Sequence, residues 1–193
     1  MNKDKQLKDA SIRLKVEVIR KTNLDFIINY LNTQKPELQT ILEIGTGCGY
    51  SAYQFSKLAQ INQIVSLEKD NERFNTAQSM LHDINKIKLI HTNAFTYVPD
   101  KLFDIIFIDG PKKNLSEYVD KFLTFVKKHG IVIIDNLYLN DIRQKFKQTQ
   151  ASRLVGLIEA SNNLQLKLKS LDKKRYNLII DSSGDGLAII EVL

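Results

Sequence analysis

The sequence predicts an α/β domain: a mostly parallel, seven-stranded sheet with helices on both faces and a closing antiparallel hairpin. Three observations predict it. Apolar runs of strand length alternate with helix-period stretches through most of the chain, as in a parallel sheet with crossover helices. The first run ends at Glu43-Ile44 and passes directly into Gly45-Thr46-Gly47-Cys48-Gly49 and then helix-compatible residues. That strand–glycine turn–helix unit is where a doubly wound sheet brings backbone close to a nucleotide-like ligand. Towards the C-terminus, 176–180 and 187–192 are two β-rich runs joined by Ser-Ser-Gly-Asp-Gly, which reads as a hairpin.

The elements follow in order. Helices are expected over 4–18 and 23–33, the second with Leu24, Ile27, Ile28 and Leu31 on one face. Pro36 punctuates the chain before a strand at 40–44, and a helix over 49–59 follows the glycine turn. Residues 62–67 form a second strand ending at Glu68, and Asp70 can cap a helix running to Leu81. A third strand is expected at 87–91. A fourth, at 103–108, is nearly all apolar, as a buried parallel strand should be. A helix over 115–128 leads through Gly130 into a strand at 131–134. A basic segment, 141–150, then precedes a helix to about residue 162. The alternating Leu-Gln-Leu-Lys-Leu of 164–168 fits either a strand or the tail of that helix.

The chain has 193 residues, enough for one domain with a single sizeable core. No internal repeat or linker divides it, so residues 1–193 are read as one unit: 1–35 a helical cover over the site, 36–193 the core. No apolar run approaches the ~20 residues of a membrane span, and 1–21 lacks the apolar centre of a signal peptide. The lone cysteine, Cys48, excludes an intramolecular disulfide and suits a reducing cytoplasm. With no helper beside it, Cys48 reads as a small residue filling the loop. The net charge of +6 is uneven: residues 1–21 hold seven bases and three acids, and residues 140–175 nine bases and three acids. These windows together carry +10, leaving −4 elsewhere. A basic lobe beside a neutral or acidic core suits a polyanionic substrate, although lysines also simply solvate exposed helices.

The glycine turn separates two cofactor classes. A dinucleotide site would place a third glycine at position 50, where this chain has Tyr50. Here the glycines fall at alternate positions with Glu43 two residues ahead. That is the pattern of an S-adenosylmethionine (SAM) loop, in which the acid can answer the cofactor's ammonium group. An ordinary strand-to-helix turn is the plain alternative. The other strand ends carry polar residues as well. Glu68 lies where a carboxylate can take both hydroxyls of a ribose. Asn93-Ala94 can read an adenine edge, and Asp109 and Asp135-Asn136 end the fourth and fifth strands. Ligands collect at these carboxyl ends.

Asp109, Asp135 and Asn136 would project from neighbouring strands into one crevice beside the loop. Two carboxylates and an amide oxygen are hard donors suited to Mg²⁺ or another divalent cation. Lys112, three residues after Asp109, can point at the same crevice to deprotonate or hold a hydroxyl; an exposed lysine opening a helix is the alternative. The histidines at 82, 91 and 129 are scattered and form no ligand cluster.

Four segments carry a family resemblance: Glu-Ile-Gly-Thr-Gly-Cys-Gly-Tyr-Ser (43–51), Phe-Ile-Asp-Gly-Pro-Lys (107–112), Ile-Ile-Asp-Asn (133–136) and Gly-Asp-Gly-Leu-Ala-Ile (184–189). On these the chain resembles the bacterial branch of the metal-dependent, catechol O-methyltransferase-like SAM methyltransferases. Within that branch it is most similar to the tRNA 5-hydroxyuridine methyltransferases, which make 5-methoxyuridine at the wobble position. The resemblance implies a class I, Rossmann-like methyltransferase fold. It implies metal ligation by Asp109, Asp135 and Asn136, and a base or substrate anchor at Lys112. It places SAM along Glu43, Gly45, Thr46, Gly47, Gly49, Tyr50 and Ser51, with its ribose at Glu68, its adenine at Asn93-Ala94 and Asp109 beside it. Relatives are often dimers, which implies a homodimer. The chain departs from the pattern at Asn93, often Asp in relatives, at Gly110-Pro111, and in lacking a proline near 16–19.

The implied reaction is attack of a substrate oxygen on the SAM methyl, with the cation lowering the hydroxyl's pKa and positioning it. The expected partner is a tRNA anticodon loop, its phosphates met by Arg143, Lys145, Lys147 and Arg153 and a base stacked on Tyr138, itself readable as a rim tyrosine. A small phenolic or catechol-like substrate is the second reading. A SAM-binding regulator without catalysis is the third.

Overall fold

The computed structural model describes residues 2–138, 151–183 and 185–193. Seven strands form one sheet in the order β3-β2-β1-β4-β5-β7-β6. They are β1 (Thr40–Ile44), β2 (Gln63–Glu68), β3 (Ile87–His91), β4 (Phe103–Ile108), β5 (Val126–Asp135), β6 (Tyr176–Asp181) and β7 (Leu187–Val192). The first five run parallel, while β7 pairs antiparallel with both β5 and β6. The expected mostly parallel sheet with a closing hairpin is thus the observed one.

Period-two alternation sends neighbouring residues to opposite faces. Ile41, Ile105, Ile131 and Ile189 face one core, with Leu7 of α1 (Lys3–Arg13), Ile27 and Leu31 of α2 (Lys21–Thr33), and Phe55 of α3 (Tyr50–Ser56). Leu42, Ile106, Val132 and Ile190 face the other, with Val119 and Phe122 of α5 (Leu115–Phe122) and Leu164 and Leu168 of α6 (Ala151–Lys169). Helix α4 (Asn71–Leu81) is capped by Asp70, whose side chain accepts from Arg73 N–H, as expected.

The boundaries differ where local chemistry overrides pattern. Helix α1 stops at Arg13 rather than 18, because Lys15 adopts φ 52, a left-handed conformation that no helix continues. Helix α3 ends at Ser56, short of 59. Helix α5 ends at Phe122, followed by a 3₁₀ turn over Leu123–Phe125, and β5 begins at Val126 instead of 131. The polar stretch that reads in sequence as a helix end is a bulge: Phe103 pairs with Val126, but Ile105 with Ile131, with His129 at φ 64 between. Helix α6 runs on to Lys169, so 164–168 is its tail. Leu164 and Leu168 are buried while Leu166 is 66% exposed, the helical and not the strand spacing. Among the described residues no helix is long and apolar enough to cross a membrane.

Candidate active site

Between β1 and β4 the strand order reverses, and a crevice opens there at the carboxyl ends of the strands. It holds a cavity of about 480 Å³. The glycine loop forms its floor. Gly45, Gly47 and Gly49 have φ of 100°, 56° and 90°, a region that L side chains rarely adopt. A Cβ on Gly45 would strike the backbone oxygen of Asp109, and one on Gly47 would come within 2.8 Å of Val16. Glycine is required here by close approach, and the result is a shallow backbone cradle beside a helix N-terminus.

Glu68 lines this cradle with its carboxylate held on both sides. Gly47 N–H donates to Oε2 at 2.8 Å, and Lys69 and Asp70 N–H donate to Oε1 at 2.9 Å. It is 6% exposed and rigidly aimed. Thr46, Tyr50, Ser51 and Ala94 also line the cavity. Thr46 Oγ1 shares a 2.6 Å bond with Ser66 Oγ, and the Tyr50 ring lies under Lys8 at 5.2 Å. Cys48 is buried against the same space and burial pushes its thiol up, which fits a loop-filler rather than a nucleophile.

Two expected contacts fall elsewhere. Glu43 is fully buried behind the loop, its oxygens taken by the hydroxyls of Ser51 and Ser66. It braces β1, β2 and α3 against one another and does not face the cavity, so it is not placed to answer a cofactor's ammonium. Asn93 turns its Oδ1 back to Phe95 N–H at 3.0 Å; an Asx turn occupies it, and Thr92 and Ala94 line the cavity instead. Gly49 acts as the N-cap of α3.

Burial, opposed by the two hydroxyls, pushes Glu43 up to about 7 from an ordinary 4.5. The folded state therefore binds more protons than the unfolded one between those values, and stability falls as pH rises through that window. Glu43→Gln removes this slope. Thermal melts should show a variant whose gain over wild type grows from pH 4.5 to pH 7 and then levels off at roughly 3 kcal/mol. A gain independent of pH would show that Glu43 does not titrate there.

Beside the glycine loop stand Asp109, Asp135 and Asn136. Asn136 Nδ2 lies 3.2 Å from both Asp109 Oδ1 and Asp135 Oδ2, so one amide bridges two carboxylates. Asn136 itself sits at φ 63, a strained conformation of the kind held at functional sites. Asp109 reaches the cavity, while Asp135 is sealed behind it at 2% exposure. Burial raises both; the charge of Asp135 and then of Glu43 raises Asp109 further, and Lys112 offsets part of this for each. Lys112 lines the cavity from the 3₁₀ turn after β4. Among the described residues no three His, Cys, Asp or Glu side chains cluster to hold a metal; a third hard donor would be the Oδ1 of Asn136, whose amide here presents Nδ2 to the two carboxylates. A crowded pair of carboxylates with one amide and a nearby cation is a set that a divalent ion would neutralise.

The sequence missed Asn23, which is fully buried on α2 and donates to Asp135 Oδ1 at 2.6 Å. It also missed Arg20, whose Nε donates to Asp185 Oδ2 at 2.8 Å. An asparagine among Leu24, Ile27 and Leu31 was the available signal. The strap after α1 contributes Lys15, Val16, Glu17 and Val18 to the cavity wall.

Other expectations lie away from the site. Tyr138 packs its ring against Gly186 and the second core, a rim tyrosine rather than a free stacking platform. Arg143, Lys145 and Lys147 lie outside the described residues, as does the side chain of Arg153. Lys173, Lys174 and Arg175 precede β6, whose first residue pairs with Val192, while Asp135 pairs with Leu187 at the other end of β7. That part of the basic lobe is therefore at the far end of the sheet from the site.

The sheet order, the glycine cradle at the reversal and the closing hairpin define a class I, Rossmann-like SAM-dependent methyltransferase. The family model described as O-methyltransferase matches residues 5–191, and the chain belongs to that family. It is 30% identical over 135 residues to a Thermoplasma volcanium protein described as a cobalt-precorrin-6B C(15)-methyltransferase (decarboxylating), covering 67% of each chain. Among solved structures, one described as a caffeoyl-CoA O-methyltransferase of Staphylococcus aureus superposes with TM-score 0.83 at 24% identity, covering 100% of this chain and 93% of that one. The Podospora anserina methyltransferase PaMTH1, solved with SAH bound, superposes with TM-score 0.81 at 20% identity, covering 99% and 87%. The chain is an O-methyltransferase that uses SAM. The named acceptors differ between these proteins, so the shared fold does not carry the substrate.

Proposed function

We propose that this O-methyltransferase works with a divalent cation held by Asp109, Asp135 and Asn136 and methylates 5-hydroxyuridine at the tRNA wobble position. One observation carries the cation: the carboxylate of Asp109 at the cavity wall and that of Asp135 just behind it meet across a single amide, both raised above their ordinary range. Bound there, a cation would lower the pKa of an acceptor hydroxyl and hold it, while SAM would supply a methyl group activated by its sulfonium charge. The glycine cradle and Glu68 are the groups suited to the cofactor. Lys112, which lines the cavity, would serve as base or as anchor for the acceptor oxygen as it becomes anionic. The oxygen–methyl bond would form as the methyl–sulfur bond breaks, the cofactor would leave as its neutral thioether, and the hydroxyl proton would pass through a base to solvent water.

The hydroxyl of 5-hydroxyuridine and its adjacent O4 form the vicinal oxygen pair that such a site can take. Four basic residues, Lys15, Lys69, Arg73 and Lys112, line the cavity against three acids, Glu17, Glu68 and Asp109, a slight positive excess in keeping with a polyanionic acceptor. A small phenolic or catechol-like acceptor is the second reading, favoured by the description of the Staphylococcus aureus neighbour. Labelled SAM, tRNA lacking the modification and catechol, each with Mg²⁺ and with chelator, separate the readings. Chelator-sensitive label on wobble 5-hydroxyuridine is expected; label on catechol alone would transfer the assignment to the small acceptor. With tRNA as acceptor, Arg143→Ala and Lys145→Ala should each weaken binding and reduce its salt slope by about one.

A further inference from the structure

Asn23 stands behind the carboxylate pair and touches no acceptor. It is 0% exposed, on a helix face whose other members, Leu24, Ile27 and Leu31, pack in the core. Burying an amide there is costly unless the amide is satisfied, and packing alone would be served by an aliphatic residue. What the amide does is donate to Asp135. A carboxylate has only acceptors to offer, so it is Nδ2 that faces Asp135, at 2.6 Å from Oδ1. The other oxygen, Oδ2, turns to Asn136 and towards Asp109. The two oxygens of Asp135 thus have separate partners from separate elements. Three residues before Asn23, Arg20 pairs with Asp185, whose charge bears on Asp135. The first turn of α2 is in this way tied at two points to the strand ends that carry the donor set.

We propose that Asn23 is a positioning residue: it occupies Oδ1 of Asp135, so that Oδ2 is the one oxygen Asp135 can give a cation once the Asn136 amide turns its Nδ2 away, and it thereby favours a small octahedral ion such as Mg²⁺ or Mn²⁺ over Ca²⁺. Small octahedral ions take one oxygen from each carboxylate, whereas Ca²⁺ takes more ligands and accepts both oxygens of one. Loss of a group that holds a metal ligand from behind typically costs about 10–100-fold in metal affinity. The inference rests on the cation-assisted reading above.

Direct binding of Mn²⁺ and Ca²⁺ to the full chain, by Mn²⁺ paramagnetic resonance and calorimetry, tests it without turnover. Asn23→Leu keeps the volume and removes the donor. It is expected to bind Mn²⁺ about 10–100-fold more weakly than wild type. Ca²⁺ affinity should fall less, so that the Mn²⁺ to Ca²⁺ preference drops by about fivefold or more. SAM affinity should stay within about twofold of wild type, because Asn23 does not line the cavity. Should the leucine variant not fold, Asn23→Ala is measured in the same way. If the Asn23 variants bind both ions as wild type does while Asp135→Asn binds neither, Asn23 only packs, and the cation reading stands without it. If wild type itself binds no Mn²⁺, the cation reading fails and takes this inference with it.

Discussion

Asp109→Asn is expected to yield a protein that is more stable without metal and nearly inert as a methyltransferase. Asp109 and Asp135 are brought together by parallel neighbours β4 and β5, with one amide between them. Burial pushes Asp109 well up, and Asp135 pushes it further. An amide at 109 replaces that repulsion by a hydrogen bond and removes a buried charge, a change worth about 1–3 kcal/mol. In chelator at pH 8 the melting temperature should rise by roughly 3–8 °C. The sign with pH follows from proton uptake. A folded-state carboxyl raised above its unfolded value destabilises the protein above the raised pKa, and this cost fades as pH falls through it. The advantage of the variant should therefore shrink on acidification. On the cation-assisted reading methyl transfer should drop about a thousandfold or more, since the site loses one of the two carboxylates proposed to hold the cation. A variant no more stable than wild type at pH 8 would show that the pair is not under strain. One that keeps its rate would remove Asp109 from the chemistry.

That trade of stability for function is also where the sequence could and could not be read. Strands β3 and β4 were legible to the residue, because short apolar runs between turn residues have few alternatives. The cradle was legible because alternate glycines after an apolar run serve little else. The β5 bulge was not, since Lys127, Lys128 and His129 look like the polar end of a helix and only pairing with β4 makes them strand. The tail of α6 was ambiguous because Leu at 164, 166 and 168 satisfies both periods until burial separates Leu166 from the others. In sequence Glu43 reads as a partner for the cofactor's ammonium, because an acid at a strand end usually meets the ligand. Its partners, Ser51 and Ser66, lie 8 and 23 residues away, and no local pattern announces them. Asn23 is the same case at longer range: 112 residues separate it from Asp135, and a helix face with one amide reads as ordinary until the fold closes over it.

Gly45→Ala carries the largest expected loss of stability from the smallest chemical change. A methyl group at 45 would collide with the Asp109 carbonyl oxygen and stand 3.0 Å from its carbon and 3.5 Å from Gly110 Cα. Neither side can withdraw. Gly45 N–H donates to Leu67 O and Asp109 N–H to Ile44 O, each at 3.0 Å, and Ile44 is in register with Ile108. The φ of 100° adds strain of its own for any residue with a Cβ. The variant should lose about 2–4 kcal/mol, seen as a fall of roughly 5–15 °C in melting temperature. Because the collision lies where the cradle meets the segment carrying Asp109, SAM affinity should fall by about 30-fold or more and methyl transfer at least in proportion. Two other glycines calibrate the result. At Gly47 the obstacle is the tip of the Val16 side chain at 2.8 Å, which can turn aside, so Gly47→Ala should bind SAM better than Gly45→Ala does. At Gly156, inside α6, nothing lies within 4 Å, and alanine there should stabilise by about 0.5–1 kcal/mol with unchanged activity. If Gly45→Ala melted and bound SAM as Gly156→Ala does, the closeness of the cradle to Asp109 would have no bearing on the cofactor. The coupling of the two halves of the site would then lie elsewhere than in this one contact.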